Sequence, residues 1–452
     1  MKKILALVLI LATLSMVFVP PANAATKAQI DAATALGVAW LATQQETAGC
    51  PGPVASGCWA PTDYYPVGTT ALVVWKLEVH AVLQGLSPFD PVYAYSTNVV
   101  NGLNYLFANA VTHAPSSGVY FQEPTGAGTD HSSYDTGLAL VAIASGAEPN
   151  RVVDVTGSPV DGMTYHDVAL GVVSFLAWAQ NDATRGDYAG GWYYDSTIGP
   201  QDDADNSIVG HVVMGLLFAE APLATPPAIG GFGLTIPATV KTLLNTWITY
   251  IQNTSGGTDD GGSGYEGPTD WVNIYKTGHL LQEMAFVGDT SSTPRVQSAV
   301  AYLVRHWDDA DADPGWKGSP PTTYSSYIAT LMVMKGLVAL GIDKIGGIDW
   351  FNDFADTLLA QQKVDGSWPI DGAEWSDEGG IRSTAWALLT LEKAVPSPPS
   401  TTPVPVGGTV MPSPLTGLLA LLPWILVAFG AVGAGAYAIR KRYASPLLPR
   451  IR

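Results

Sequence analysis

The residues best equipped for chemistry fall into a few short groups. Asp203-Ala204-Asp205-Asn206-Ser207 sets two carboxylates ahead of an apolar run. An acid just before a helix-opening Ser is what N-terminal capping selects, because the first helical N–H groups lack intrahelical partners. Capping is therefore the expectation for Asp205, and equally for Asp135 before Thr136. Asp309, Asp311 and Asp313 alternate like the oxygen ligands of a calcium loop. Pro314 stands where such a loop needs Gly and Pro320 where it needs Glu, so a solvated acidic loop is the expectation, and calcium is the one cofactor the pattern suggests. His279 and Glu283, at i and i+4, share one helix face, and His211 lies on a similar apolar segment. Without a third nearby ligand they suit the core or a ligand wall better than a metal. No Ser-His-Asp signature, glycine-rich phosphate loop or dinucleotide fingerprint is present.

The segments carrying these residues repeat. An aromatic residue followed by Leu or Ile recurs as Trp40-Leu41, Tyr105-Leu106, Phe175-Leu176, Trp247-Ile248 and Tyr302-Leu303, with a weaker member at Thr357-Leu358. The spacing is roughly 63 residues, longer than most helical solenoid repeats. Gln follows four residues after the aliphatic at Gln45, Gln180, Gln252 and Gln362, while Ala110 and Trp307 replace it in the second and fifth copies. Each copy continues into a Gly-containing turn ending in an aromatic: Trp59, Tyr120, Trp192, Tyr265, Trp316 and Trp368. A second apolar segment then opens near Thr70, Thr136, Ser207, Thr277, Thr330 and Thr384, residues of helix-capping type. The first segment of each pair mixes polar and apolar positions and the second is apolar nearly all round, which places the second inside. Six helical hairpins in a circle make an all-α fold, an (α/α)6 barrel or toroid.

Leu358-x3-Gln362-x3-Gly366-Ser367-Trp368 resembles the QW repeat of the squalene cyclase and protein prenyltransferase superfamily, and Trp40-Leu41-x3-Gln45 with Gly57-Cys58-Trp59 is a second copy with a longer loop. The resemblance covers roughly residues 28 to 394 and implies that Gln45, Trp59, Gln180, Trp192, Gln362 and Trp368 hold the barrel together. It also implies where chemistry would sit. Triterpene cyclases protonate an alkene with the middle acid of Asp-x-Asp-Asp, and Asp205 takes that position here, although Asn206 replaces the final acid. Prenyltransferase zinc would need a Cys late in the barrel, and thioester chemistry would need Cys-x-x-Gln. Both cysteines, Cys50 and Cys58, lie in the first copy and neither opens that motif.

The ends of the chain place it in a cell. Residues 1–24 carry Lys2-Lys3, an apolar run and Ala22-Asn23-Ala24, the three regions of a secretory signal. The toroid occupies 25–395 and a Pro/Ser/Thr-rich stalk 396–414. A membrane span follows over 415–439, with an uncharged core from Leu418 to Ile439, and then a basic tail over 440–452 opening with Arg440-Lys441-Arg442. Basic residues favour the cytoplasmic side, so the expectation is a single-pass type I protein of the cell membrane with its bulk extracytoplasmic. In an exported chain Cys50 and Cys58 should form a disulfide.

Hydrophobic residues make up 47% of the 452 and charged residues 13%, enough to bury a large core. Between the termini, 14 basic residues face 39 acidic ones, about −25, which repels nucleic acid and anionic headgroups. The expected role is a binding module without catalysis, its central cavity rimmed by inner-helix N-termini and by Tyr134, Tyr275 and Trp271, with His211, His279 and Asp135 also contacting the ligand. That ligand is a glycan, a lipid-like molecule or a protein. The alternative is an extracytoplasmic enzyme. It would either cleave polysaccharide with two carboxylates drawn from Asp135, Asp205, Glu283 and Asp377, or be a degenerate isoprenoid cyclase with Asp205, Asp203 or Glu283 as the acid.

Overall fold

The computed structural model describes residues 24–124, 131–309, 314–320, 323–371 and 377–396. The expected leader up to residue 23, the stalk past residue 396, the membrane span and the basic tail lie outside the described residues, as do Asp311 and Asp313. Among the described residues no helix is long and apolar enough to cross a membrane.

Outer helices α1 (Lys27–Thr43), α3 (Ser96–Ala108), α5 (Tyr165–Ala179), α7 (Ala238–Ile251), α9 (Pro294–His306) and α11 (Trp350–Gln361) alternate with inner helices. The inner set is α2 (Pro66–Leu83), α4 (Ser132–Ser145), α6 (Asn206–Glu220), α8 (Ile274–Phe286), α10 (Tyr327–Ala339) and α12 (Ile381–Leu391). Each inner helix packs on the next, and α12 packs back on α2, so the six close into a ring with the outer helices around it. Burial follows the apolar pattern: α2 and α6 are buried on nearly every face, whereas α7 buries only Val240, Leu244, Trp247, Ile248 and Ile251. Glycine permits the close approaches inside the ring. A Cβ on Gly210 of α6 would fall 1.7 Å from Nδ1 of His279, and one on Gly278 of α8 would fall 2.5 Å from the Val333 nitrogen.

The repeated Gln and Trp residues are the fasteners. Gln180 Nε2 donates to Gly190 O at 2.9 Å in its own turn and to Val240 O at 3.1 Å on the next outer helix. Gln45 does the same with Gly57 and Asn98, and Gln252 with Gly261 and Arg295. Gln362 reaches Gly366 O and, across the seam, Ala33 O of α1 at 2.8 Å, closing the outer ring. The indoles of Trp59, Trp192 and Trp368 donate to Leu41 O, Leu176 O and Leu358 O, tying each turn to its own outer helix. Where Trp307 replaces Gln, its indole donates to Asp353 of α11 at 2.8 Å and links the same two outer helices.

Two expectations change. The second copy contains an antiparallel hairpin, β1 (Ala110–His113) with β2 (Gly118–Phe121), so the fold is not purely helical. Val111, Thr112, Val119, Tyr120 and Phe121 favour extended backbone, and Ala110 offers no Gln to hold a tighter turn. The Thr residues expected as caps instead sit a turn inside the inner helices. Hydroxyls of Thr70, Thr136, Thr277 and Thr384 accept the backbone N–H of Trp59, Phe121, Ser263 and Trp368 respectively, fixing each preceding turn. Cys50 and Cys58 form the expected disulfide, with Cα atoms 5.8 Å apart.

Candidate functional site

Six inner helices running the same way gather their unpaired N–H groups at one end of the ring, and acids converge there. Glu123 accepts from Val67 N and Gly68 N of α2, Asp371 from Tyr327 N and Ile328 N of α10, and Asp377 from Arg382 N and Ser383 N of α12. Asp205 caps α6, its Oδ1 accepting from Ser207 N at 2.7 Å and Ser207 Oγ at 2.8 Å. Asp135, expected as a cap, instead lies within the first turn of α4. It pairs with Glu123 against Gly68, and burial foremost, then the Glu123 charge, pushes its carboxyl well above the usual range.

Aromatic rings cover the same end. Tyr65 meets His131 at 4.8 Å between centroids, His131 meets Tyr194 at 5.0 Å, and Tyr134 meets His211 at 4.7 Å. His211 lies 5.0 Å from His279, which lies 4.8 Å from Tyr275. The Tyr194 and Tyr265 hydroxyls are hydrogen bonded, and Trp271 stands 5.7 Å from the Tyr265 ring. Hydrogen bonds run from Tyr134 to Ser207 and on to Asp205. Burial raises the Asp205 carboxyl, while Ser207 and the Tyr265 and Tyr194 hydroxyls oppose that rise. His211 donates Nδ1–H to Ser207 O at 2.8 Å, and burial lowers its pKa to about 4, so the ring is neutral.

The ring axis is filled rather than open. Lys335 of α10 places Nζ 4.8 Å from the Trp75 ring of α2 and 5.8 Å from Phe218 of α6, and those two rings meet edge to face at 5.5 Å. Side chains from alternate inner helices can touch only across the axis, so the expected central cavity is closed at this depth. Lys335 Nζ, both ring nitrogens of His279 and both oxygens of Glu283 have no hydrogen-bond partner among the described residues. Burial lowers Lys335 and His279 and raises Glu283, which favours the uncharged form of each.

The structure thus brings Asp205, His211, His279, Tyr134, Tyr275 and Trp271 to one end. Glu283 lies a turn deeper than His279 and is fully buried, Asp203 sits half-buried near the rim, and Asp135 joins Glu123. Asp309 accepts from His306 Nδ1 at 2.7 Å, and among the described residues no group of three or more His, Cys, Asp or Glu could hold a metal ion. Asn206, the departure from the cyclase motif, is buried with its amide fully engaged. Oδ1 accepts the Trp247 indole at 2.8 Å and Nδ2 donates to Ser263 Oγ at 2.8 Å. An aspartate there could not make the second bond while ionised. Sequence reasoning missed Tyr65, His131, Tyr193, Tyr194, Tyr265 and Lys276; the signal was a run of aromatics in the loops leading into inner helices. A separate groove of about 690 Å³ lies on the outside, lined by Lys317, Tyr324, Asp356, Gln361 and Pro369.

No family model matches the chain, and no curated protein matches it in sequence. It is similar to solved structures of a type II terpene cyclase, MstE, from Scytonema. The complex with geranylgeranyl dihydroxybenzoate shares 15% identity over 81% of this chain and 97% of that one, with a TM-score of 0.45. The apo form shares 14% over 82% and 99%, with a TM-score of 0.44. A family 76 glycoside hydrolase from a bovine Bacteroides thetaiotaomicron strain shares 12% identity over 81% of this chain and 78% of that chain, with a TM-score of 0.49.

Proposed function

We propose that this protein is a cell-surface binding module, exported by its leader and anchored by its C-terminal span, whose ligand sits on the aromatic end of the inner ring without being transformed. The observation that carries the reading is the combination of a filled axis with an aromatic face above it. Lys335, Trp75 and Phe218 occupy the depth where a buried substrate would lie, while Trp271 stays half exposed at the rim. Rings arranged edge to face offer stacking area at small entropic cost. The acid best placed for chemistry, Asp205, already serves as the α6 cap through Oδ1.

A second reading keeps Asp205 as a proton donor, because burial raises its carboxyl. Incubating the purified chain with squalene and shorter polyprenyl substrates, followed by mass spectrometry of the extract, separates the two. A cyclised product that disappears in Asp205→Asn would replace the binding reading with the enzymatic one. The orientation is tested on intact cells: protease should release a soluble fragment cut between residues 396 and 414, and resistance until lysis would refute the type I arrangement.

A further inference from the structure

We propose that the corner of the aromatic end formed by Tyr194, Tyr265 and Trp271, with Tyr193 edge to face against Tyr194 at 5.1 Å between centroids, takes an organic ammonium group. The inference rests on the binding-module reading and gives its ligand a chemical class. Three observations meet at this corner. First, the protein already lays an ammonium on it: Lys276 Nζ lies 3.9 Å from the Trp271 ring centroid and 5.5 Å from that of Tyr265. The ring quadrupole that attracts this group acts on both faces of the indole, and Trp271 remains 50% exposed.

Second, Trp271 is held there against a local cost. Its φ of +45° is a left-handed conformation that a bulky residue adopts only when its surroundings impose it. The loop before it is pinned by Tyr265 N donating to Asp270 O at 2.8 Å and Asp270 N to Gly267 O at 3.1 Å, and Asn206 N donates to Tyr265 O at 2.9 Å from the start of α6. A core role would have buried this indole as Trp247 and Trp316 are buried.

Third, the corner is edged with carboxylates. Glu266 is raised by burial and then by the charges of Asp203, Asp205 and Asp270, so all four acids lie within electrostatic reach. Asp205 is fully buried, with the Tyr194 and Tyr265 hydroxyls beside its carboxylate. Lys276 supplies one compensating charge, while Arg185, next along the rim, is paired with Asp202 at 2.8 Å. Four acids beside one ammonium leave a negative field over exposed π faces, which favours a cation over a neutral sugar or isoprenoid.

The experiment uses the detergent-solubilised full chain and isothermal calorimetry with tetramethylammonium, choline, the uncharged choline isostere 3,3-dimethylbutanol and a neutral oligosaccharide. The two cations should bind, the isostere about tenfold or more weakly, and raising salt should weaken the cations. Trp271→Ala should remove about tenfold of the affinity and Glu266→Gln a smaller part, and because Glu266 lies in a loop its variant keeps the test usable if the tryptophan variant misfolds. Equal binding of cation and isostere, or binding of the oligosaccharide alone, overturns the ammonium inference while leaving the aromatic end a ligand site. Cation binding unchanged in both variants also overturns it, and silence from every probe removes this inference together with the binding reading.

Discussion

At the C-terminal end of the inner ring, Lys76 of α2 meets Glu392 after α12 at 2.6 Å, and the Ser145 hydroxyl of α4 donates to Glu78. Tyr93 closes over them, its hydroxyl donating to Leu77 O at 2.8 Å. At the N-terminal end, Trp271 is half exposed and Glu266 is crowded by other acids. One end is closed by a buried ion pair beside Glu78, whose carboxyl burial raises well above the usual range, and the other leaves π surface exposed among crowded acids. The contrast is what the proposed ligand site at the second end calls for.

Breaking the sealed end should have the largest effect. Lys76→Ala leaves Glu392 buried without its cation and should cost about 3–5 kcal/mol in chemical denaturation. A Lys76→Met, Glu392→Leu double variant should recover much of that loss, and no recovery would mean that the pair is not what closes this end. The seam comes next. Gln362→Ala removes both bonds that join α11 to its turn and to α1, for about 1–3 kcal/mol by the same measurement.

At the open end the costs should be smaller. Asp205→Asn weakens the α6 cap and should lower stability by about 0.5–2 kcal/mol without abolishing the fold. A larger loss would mean that Asp205 is buried for structure and not for a ligand. The Glu123–Asp135 pair gives a pH signature. Burial raises Glu123 to about 8, and Asp135 also lies above its ordinary value. The native state therefore keeps a proton that the unfolded chain releases. The stability this contributes is complete below the unfolded pKa near 4.5 and is lost as pH rises through about 8. Buried bases such as Lys335, lowered by burial, slope the other way, so the informative quantity is a difference. Melting temperature should fall more steeply in the wild type than in Asp135→Asn between pH 6.5 and 8.5, and parallel curves would refute the shared proton. The smallest effect belongs to Trp271→Ala, whose change in unfolding free energy should stay within about 0.5 kcal/mol, because the indole is half exposed.

Much of this architecture was legible in the chain. The spacing from Leu358 through Gln362 to Trp368 is local, and its meaning is local too, since the Trp368 indole returns to Leu358 O in the same hairpin. The second bond of each Gln, to the next outer helix, depends on how the hairpins pack and could not be read from one copy. The same holds at the site. His211, His279, Tyr275 and Asp205 could be placed near helix N-termini because capping and apolar runs mark those positions. Asp135 looked alike and went elsewhere, because Glu123 arrives from a neighbouring strand end to pair with it. Lys335 sits in an apolar run with no local sign of its direction; only ring closure brings Trp75 and Phe218 around it.

Parity decides at which end of the ring the chain finishes. The helices described for the ring number twelve and alternate in direction, so the chain leaves on the side from which it set out. Asp31 near the start is felt by Glu392 near the finish. Pro396 therefore departs from the sealed end, and Trp271 lies at the opposite pole. An odd number of helices would have turned the aromatic end toward its own point of exit. With an even number, the aromatic face and the point where the described chain finishes, Pro396, lie at opposite poles of the ring.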